Sequence, residues 1–311
     1  MSLFSLIIAL LLEQWQPLAR TRLPLARVQE YADFFRFRFN AGKHHHGRLA
    51  WLVAVGSPAV VLTLAFTLLD AIHPLLALIL SIAVSYLTLG LHQLNERFGE
   101  LHQALKDGDT SRAASLLALW RNMPSQQLNA NELARVAIER ALLASNQHVF
   151  GVIVWFLIGM LLGLGPSGAV VYRLSQYLDA HWGALDDLDH GDFGVFARRI
   201  HGWLEWLPVR LSAATFAIVG NFEDAVYCWR TQAHTWADPE QGILLASGAG
   251  ALGVRLGLAI SEDGVLLDRP ELGTGDEAAP DYMQSTTGLI WRTLVFWLIL
   301  LLLITLATLV G

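Results

Sequence analysis

TLVFWLILLLLITLATLV, Thr293 to Val310, runs for eighteen residues without a charge and is entered through Trp291 and Arg292. At about 1.5 Å of rise per residue, a helix of that length extends roughly 27 Å, close to the hydrocarbon thickness of a bilayer. A helix at a water-facing surface needs a polar side, and only Thr293, Thr305 and Thr308 are on offer. The stretch is a membrane span, and the rest of the chain is read from there. Of 311 residues, 54% are hydrophobic and 15% charged, against about 25% charged in soluble domains. The apolar residues come in runs, which predicts one integral membrane domain over residues 1–311 rather than two soluble ones.

Three further spans follow from the same pattern: Leu49 to Leu69, Leu75 to Leu91 and Val149 to Leu164, with the last span taken as Leu289 to Val310. Gly56-Ser57-Pro58 should kink the first of these, because proline removes a donor and crowds the preceding turn. Asp70 to Pro74 leaves too few residues for anything but an antiparallel hairpin. Partial segments are expected at 2–12, 168–178 and 203–219, the last mixing Trp203 and Trp206 with Glu205 and Arg210. The N-terminal run lacks a basic flank and a small-residue cleavage pattern, so it is not read as a signal peptide. The fold class is all-α: a polytopic helical membrane bundle of about four to six membrane segments, with a helical excursion over 92–148. Basic residues before Leu49 and between His92 and His148 place both stretches in the cytoplasm by the positive-inside rule. Gly264 to Gly288, rich in Gly and Pro, is expected to be a loop.

A net charge of -6 carries no nucleic-acid footprint, and Cys228, alone, can form neither an internal disulfide nor a cysteine metal site. His44-His45-His46 point in different directions on any regular backbone and read as a cationic flank. Asp179, Asp186, Asp187, Asp189 and Asp192 are acid-rich, but they lack the register and closing Glu of a calcium loop. Gly248-Ala249-Gly250-Ala251-Leu252-Gly253 matches GxGxxG without the strand before it that a dinucleotide site needs, so close packing through small residues is the reading. Arg255, between Gly253 and Gly257, adds a guanidinium beside backbone that could hold an anion.

At these residues the chain resembles the AmpE proteins and the related CobD/CbiB membrane proteins of cobalamin synthesis. Ala249-Gly250-Ala251-Leu252-Gly253-Val254-Arg255-Leu256-Gly257 is similar to a signature of the cobalamin group, as are Asp192-Phe193-Gly194, Trp206 to Leu211 and Leu178-Asp179. The opening Met1 to Glu13 is closer to AmpE. The resemblance implies one of two functions. One is an AmpE-like sensor or accessory factor in cell-envelope signalling, linked to β-lactamase induction, in a multi-pass protein of the bacterial inner membrane. The other is an amide ligase joining a corrinoid carboxylate to aminopropanol or its phosphate, with Glu139 and Asp179 as the catalytic acids. In that case Arg210, Gly250, Gly253, Arg255 and Gly257 form an anion site. Partners are then the lipid bilayer and an anionic small molecule, corrinoid or peptidoglycan-derived. No resident cofactor or metal is implied, with Mg²⁺ admitted only if the chain is an enzyme.

Departures from the pattern favour the signalling reading. The family's Glu-Ser-x-Ala-Glu-Asn-x-x-Asp-Gly falls on Glu139 to His148 and keeps only the first Glu, with Arg140 in place of Ser. Asn-Thr-Leu-Asp becomes Gln176-Tyr177-Leu178-Asp179, and Ser-Pro-Asn-Ala-Gly-Trp-Pro becomes Asp238 to Leu244.

Overall fold

A computed structural model describes residues 2–16, 25–39, 44–123, 128–183, 193–262 and 265–310. The chain is built almost wholly from helices, as the hydropathy pattern requires. Four are long and apolar enough to cross a membrane: His46–Ile72, Pro74–Lys106, Ala130–Leu161 and Asp281–Thr308. Each contains or overlaps one expected span, so this is a multi-pass helical membrane protein. Two compact units divide the chain: residues 1–90 with 147–206, and residues 91–146 with 207–311.

The first unit contains α1 (Ser2–Trp15), α2 (Leu25–Phe39), α3 (His44–Ile72), α4 (Pro74–Thr88), α8 (Gly151–Leu161), α9 (Ser167–Leu178) and the start of α10 (Val195–Val219). Helix α3 runs unbroken through Pro58. The expected hairpin turn is reduced to His73, whose imidazole accepts the Leu75 N–H at 3.2 Å, with Pro74 where a helix start needs no donor. Ala50 and Ala54 on α3 let α2 approach closely, and the Tyr31 hydroxyl donates to the Ala54 carbonyl at 2.8 Å. Phe35, Val55, Leu178, Trp182 and Phe193 close this core. Helices α8 and α9 meet through Gly159 and Gly168, where an added Cβ would strike backbone of the opposing turn. By contrast Val60, Val61, Leu64 and Leu68 on α3 are each about 60% exposed, a cost in water of roughly 25 cal/mol per Å² that lipid removes.

The second unit holds α5 (Leu91–Lys106), α6 (Thr110–Arg121), α7 (Ala130–Ser145), the rest of α10, α11 (Phe222–Thr231), α12 (Pro239–Leu252) and α13 (Asp281–Val310). Helix α7 is its hub, packing against α5, α6, α12 and α13. A reciprocal capping box starts it, with Asn129 and Glu132 each satisfying the other's backbone N–H. Helix α12 opens on Asp238 as N-cap with Pro239 at its first position. The Ser247 hydroxyl donates to the Ala213 carbonyl at 2.7 Å, and the Trp297 indole donates to the Thr215 hydroxyl at 2.9 Å, so α12 and α13 are both fixed to α10.

One expectation needs correction. Gly264 to Gly288 is not simply a loop. Short strands β1 (Val254–Gly257), β2 (Ile260–Glu262), β3 (Val265–Leu267), β4 (Glu271–Leu272) and β5 (Asp276–Glu277) precede α13. Strand β1 is central, antiparallel to β4 and parallel to β5, and β2 pairs β3. These strands are too short to show an alternating pattern. The helix expected to lead into the third span does so without a break, from Ala130 to Leu161 through a π-helical turn at Asn146–Phe150. The helix that carries the last span begins at Asp281, because the polar residues from Gln284 to Thr287 continue it. The acidic run at 186–192 and the side chains of His44 and His45 lie outside the described residues.

Candidate functional site

Glu139 sits mid-helix on α7 and is 5% exposed. A carboxylate so buried needs compensation, and it receives three donors. Arg269 Nη1 reaches Oε2 at 2.7 Å and Nη2 reaches Oε1 at 3.4 Å, while the Gly257 N–H donates to Oε1 at 2.8 Å. The same guanidinium donates to the Gly257 and Leu258 carbonyls at 2.9 and 3.1 Å and lies 5.7 Å from the Trp236 ring centroid. Glu139 therefore ties α7 to the end of β1. Two residues expected in the site, Glu139 and Gly257, are brought into direct contact. Arg269 escaped sequence reading because nothing local marks an arginine as the partner of an acid 130 positions away.

Each glycine of the nonapeptide has a local cause. Gly250 lets α12 lie against the α11 backbone at Asp224 and Ala225. Gly253 takes φ +69° and ends α12 in the left-handed cap that favours glycine. Gly257, at φ +72°, faces the Pro270 carbonyl with no room for a side chain. The GxGxxG match thus lies in the last turns of a helix, as close packing and not a nucleotide loop requires. Its backbone faces the negative end of the α12 dipole, and the Gly257 N–H is engaged by Glu139. What this segment offers an anion is Arg255. That guanidinium is 3.5 Å from Glu271 across the ladder, both side chains nearly half exposed. Arg210 on α10 holds Glu240, in the first turn of α12, at 2.6 Å.

Asp179 belongs to the first unit, at the end of α9 where a π-helical turn, Asp179–Gly183, begins. Gly183 lies beside its carboxylate and accepts a hydrogen bond from Arg198. One and two turns back on α9 stand Gln176 and Arg173. Arg173 Nη1 donates to Gln176 Oε1 at 2.6 Å and lies 2.5 Å from Nδ1 of His148, in the π-helical turn that precedes α8. A guanidinium has no lone pair to offer, so Nδ1 of His148 accepts and its proton sits on Nε2. Glu13 of α1, 4% exposed, acts on Arg173 electrostatically. Beside them the buried Tyr172 hydroxyl donates to Glu205 at 3.5 Å, and Glu205 pairs with His201 at 3.5 Å. Four chain segments thus place an acid, a base, an amide and a guanidinium among apolar helices. Ionisable groups at such positions are costly and mark ligand or proton sites. The sequence marks Gln176 as a changed motif position, and Arg173 and Glu205 only as polar letters within the partial segments 168–178 and 203–219. Their partners Glu13, His148 and His201 are remote in the chain, and only the π-helical irregularity at His148 hints at a special role.

Among the described residues no three His, Cys, Asp or Glu side chains gather as a metal set. The thiol of Cys228 is fully buried, and that burial pushes its pKa up.

Known proteins match this sequence over nearly its whole length. A family model described as CobD/Cbib protein matches residues 6–290. A protein of Stutzerimonas stutzeri named "Cobalamin biosynthesis protein CobD" is 37% identical over 97% of this chain and 98% of its own length. A protein of the same name from Chromobacterium violaceum is 36% identical over 78% of this chain and 77% of its own. One from Synechocystis is 28% identical over 82% and 72%. No solved structure matches. The matched region takes in the nonapeptide and both polar clusters, and on that evidence this chain belongs to the CobD/CbiB family of membrane proteins.

Proposed function

We propose that this protein works in cobalamin biosynthesis at the bacterial inner membrane, forming an amide between a corrinoid carboxylate and aminopropanol or its phosphate. The observation that carries this reading is the near full-length relationship to a protein named for cobalamin biosynthesis. It outweighs the lost motif residues on which the AmpE-like signalling reading and its peptidoglycan-derived ligand rest, since the relatives described above are all named for the corrinoid pathway. In this reading Arg173 binds the carboxylate, because it is a part-buried guanidinium whose hydrogen-bond partners, Gln176 and His148, are both neutral. Asp179, just past the end of that helix, takes the amine proton; the oxygen the carboxylate loses leaves on a phosphoryl group of an activating nucleoside triphosphate, whose Mg²⁺ Asp179 would hold. Within the second unit, Arg255 and Arg210 are anion contacts of their own, each by exchanging Glu271 or Glu240 for an incoming anion. Glu139 positions Gly257 and Arg269 and stays out of the reaction, since its charge is already neutralised.

Expression in a strain lacking its own corrinoid amide ligase tests the reading. Growth that depends on cobalamin should be restored, and Arg173→Gln should abolish the rescue at equal protein level. A well-expressed wild-type protein that fails to rescue, yet alters β-lactamase induction in its native host, would transfer the function to the signalling reading.

A further inference from the structure

Within the first unit, α8 and α9 form a hairpin whose entry, tip and exit are each fixed against α3 or α4. At the entry, the His148 carbonyl accepts the Gly90 N–H at 3.1 Å, just past the end of α4. The tip, Gly163 to Pro166, lies on α3: the Thr63 hydroxyl donates to the Leu164 carbonyl at 3.1 Å, and Gly165 sits directly against the Phe66 ring. The exit packs near the start of α3, where Leu178, Trp182 and Phe193 meet Ala50, Ala54 and Val55, and Gly47 lies against the Phe193 carbonyl. Helices α3 and α4 are themselves an antiparallel pair turned at His73, so the start of α3 and the end of α4 share one face. The hairpin enters and leaves at that face. Its tip stops beside Phe66, about 6 Å of helix rise short of Asp70.

The tip is built for lipid. Leu161, Leu162 and Leu164 are 85%, 67% and 42% exposed, and non-helical backbone at membrane depth has to be satisfied from within the protein. The Gly163 and Leu164 N–H groups donate to the Met160 and Gly159 carbonyls at 3.2 and 2.8 Å, and the Leu164 carbonyl takes the Ser167 hydroxyl at 3.0 Å as well as that of Thr63. Length and hydropathy alone would carry the Ala130–Leu161 helix across a membrane; the packing of α9 along α3 sends the chain back. Basic residues before Leu49, with none from Asp70 to Pro74, put the shared face in the cytoplasm. We infer that α8 and α9 are a re-entrant hairpin, and that Asp179, at its exit, meets water-soluble ligands on the cytoplasmic side. What Asp179 does with those ligands rests on the ligase reading; the side it faces does not.

Single-cysteine forms of the full chain, made on Cys228→Ser, provide the test with a charged, membrane-impermeant maleimide in spheroplasts and in inverted membrane vesicles. The positions Ala71, Ser111, Leu162 and Ala180 are all exposed, so cysteine replaces no buried contact. A charged reagent crosses the bilayer so poorly that Ala180→Cys and Ser111→Cys should each label at least ~10-fold faster in inverted vesicles, and Ala71→Cys at least ~10-fold faster in spheroplasts. Leu162→Cys should label in neither until detergent is added. Labelling of Ala180→Cys from outside while Ser111→Cys is protected overturns the hairpin. Labelling of Leu162→Cys in spheroplasts as fast as Ala71→Cys makes α8 a full crossing and overturns it equally. Outside labelling of both Ala180→Cys and Ser111→Cys overturns the cytoplasmic assignment. The ligase reading fails separately: a protein that labels as expected and does not rescue cobalamin-dependent growth keeps the hairpin and loses the reaction.

Discussion

Glu139 and Arg269 illustrate how a residue can keep its identity while its role is read differently in sequence and in space. As the one acid retained from a polar motif, Glu139 looks catalytic; in the fold its carboxylate is saturated by a guanidinium and a backbone N–H. Breaking such a pair leaves the partner charged and buried, so Glu139→Gln should cost about 3–5 kcal/mol. Thermal melts of the purified protein check this, and the added change Arg269→Met should recover much of the loss. Arg255→Ala makes the opposite case. Its pair with Glu271 is nearly half exposed and worth at most ~1 kcal/mol, so stability should barely move while rescue of cobalamin-dependent growth falls. If stability and rescue both survive Arg255→Ala, that residue leaves the site.

At the level of elements, what was legible depended on whether the signal was local. Hydropathy located the spans at Leu49 to Leu69 and Leu75 to Leu91 because lipid-facing side chains such as Val61 and Leu68 must be apolar. It read the first half of the Ala130–Leu161 helix as part of the helical excursion over 92–148 and not as span, since its polar residues include Arg135 and Glu139, whose charges are satisfied by segments far along the chain. The two-residue strands β4 and β5 left no pattern to find, since their register is set by β1. Of the candidate site, the glycines were readable as packing residues, whereas the Arg173 cluster was visible only as isolated polar letters. Helix contacts also predict unequal tolerance of glycine replacement. Gly168→Ala would set a methyl against the Trp155 carbonyl and should separate α8 from α9, lowering the Tm measurably. Gly56→Ala, on α3 with nothing within 4 Å, should cost nothing.

For the whole molecule, Cys228 offers a probe of opening. It is fully buried in the second unit, and burial raises its pKa, so less thiolate exists at neutral pH than for a free cysteine. A maleimide at pH 7.5 should label the native protein on the order of 100-fold more slowly than the denatured chain. Comparable rates would mean that α11 and α12 part readily. Topology is checked at the same scale: a reporter fused near Ala130 should score cytoplasmic, and a periplasmic score would invert the assigned orientation.

The ion pair between Glu139 and Arg269 also has a consequence in time. The acid leaves the ribosome 130 residues before its partner exists. At roughly 5–20 residues per second, that is about 6–26 s in which a helix carrying an unmatched charge waits beside the bilayer. Over that interval the unfinished chain is a target for membrane proteases in a way the completed protein is not. Rare codons placed between the two positions should therefore lower yield in a pulse-chase experiment, while the protein that escapes melts at the ordinary temperature.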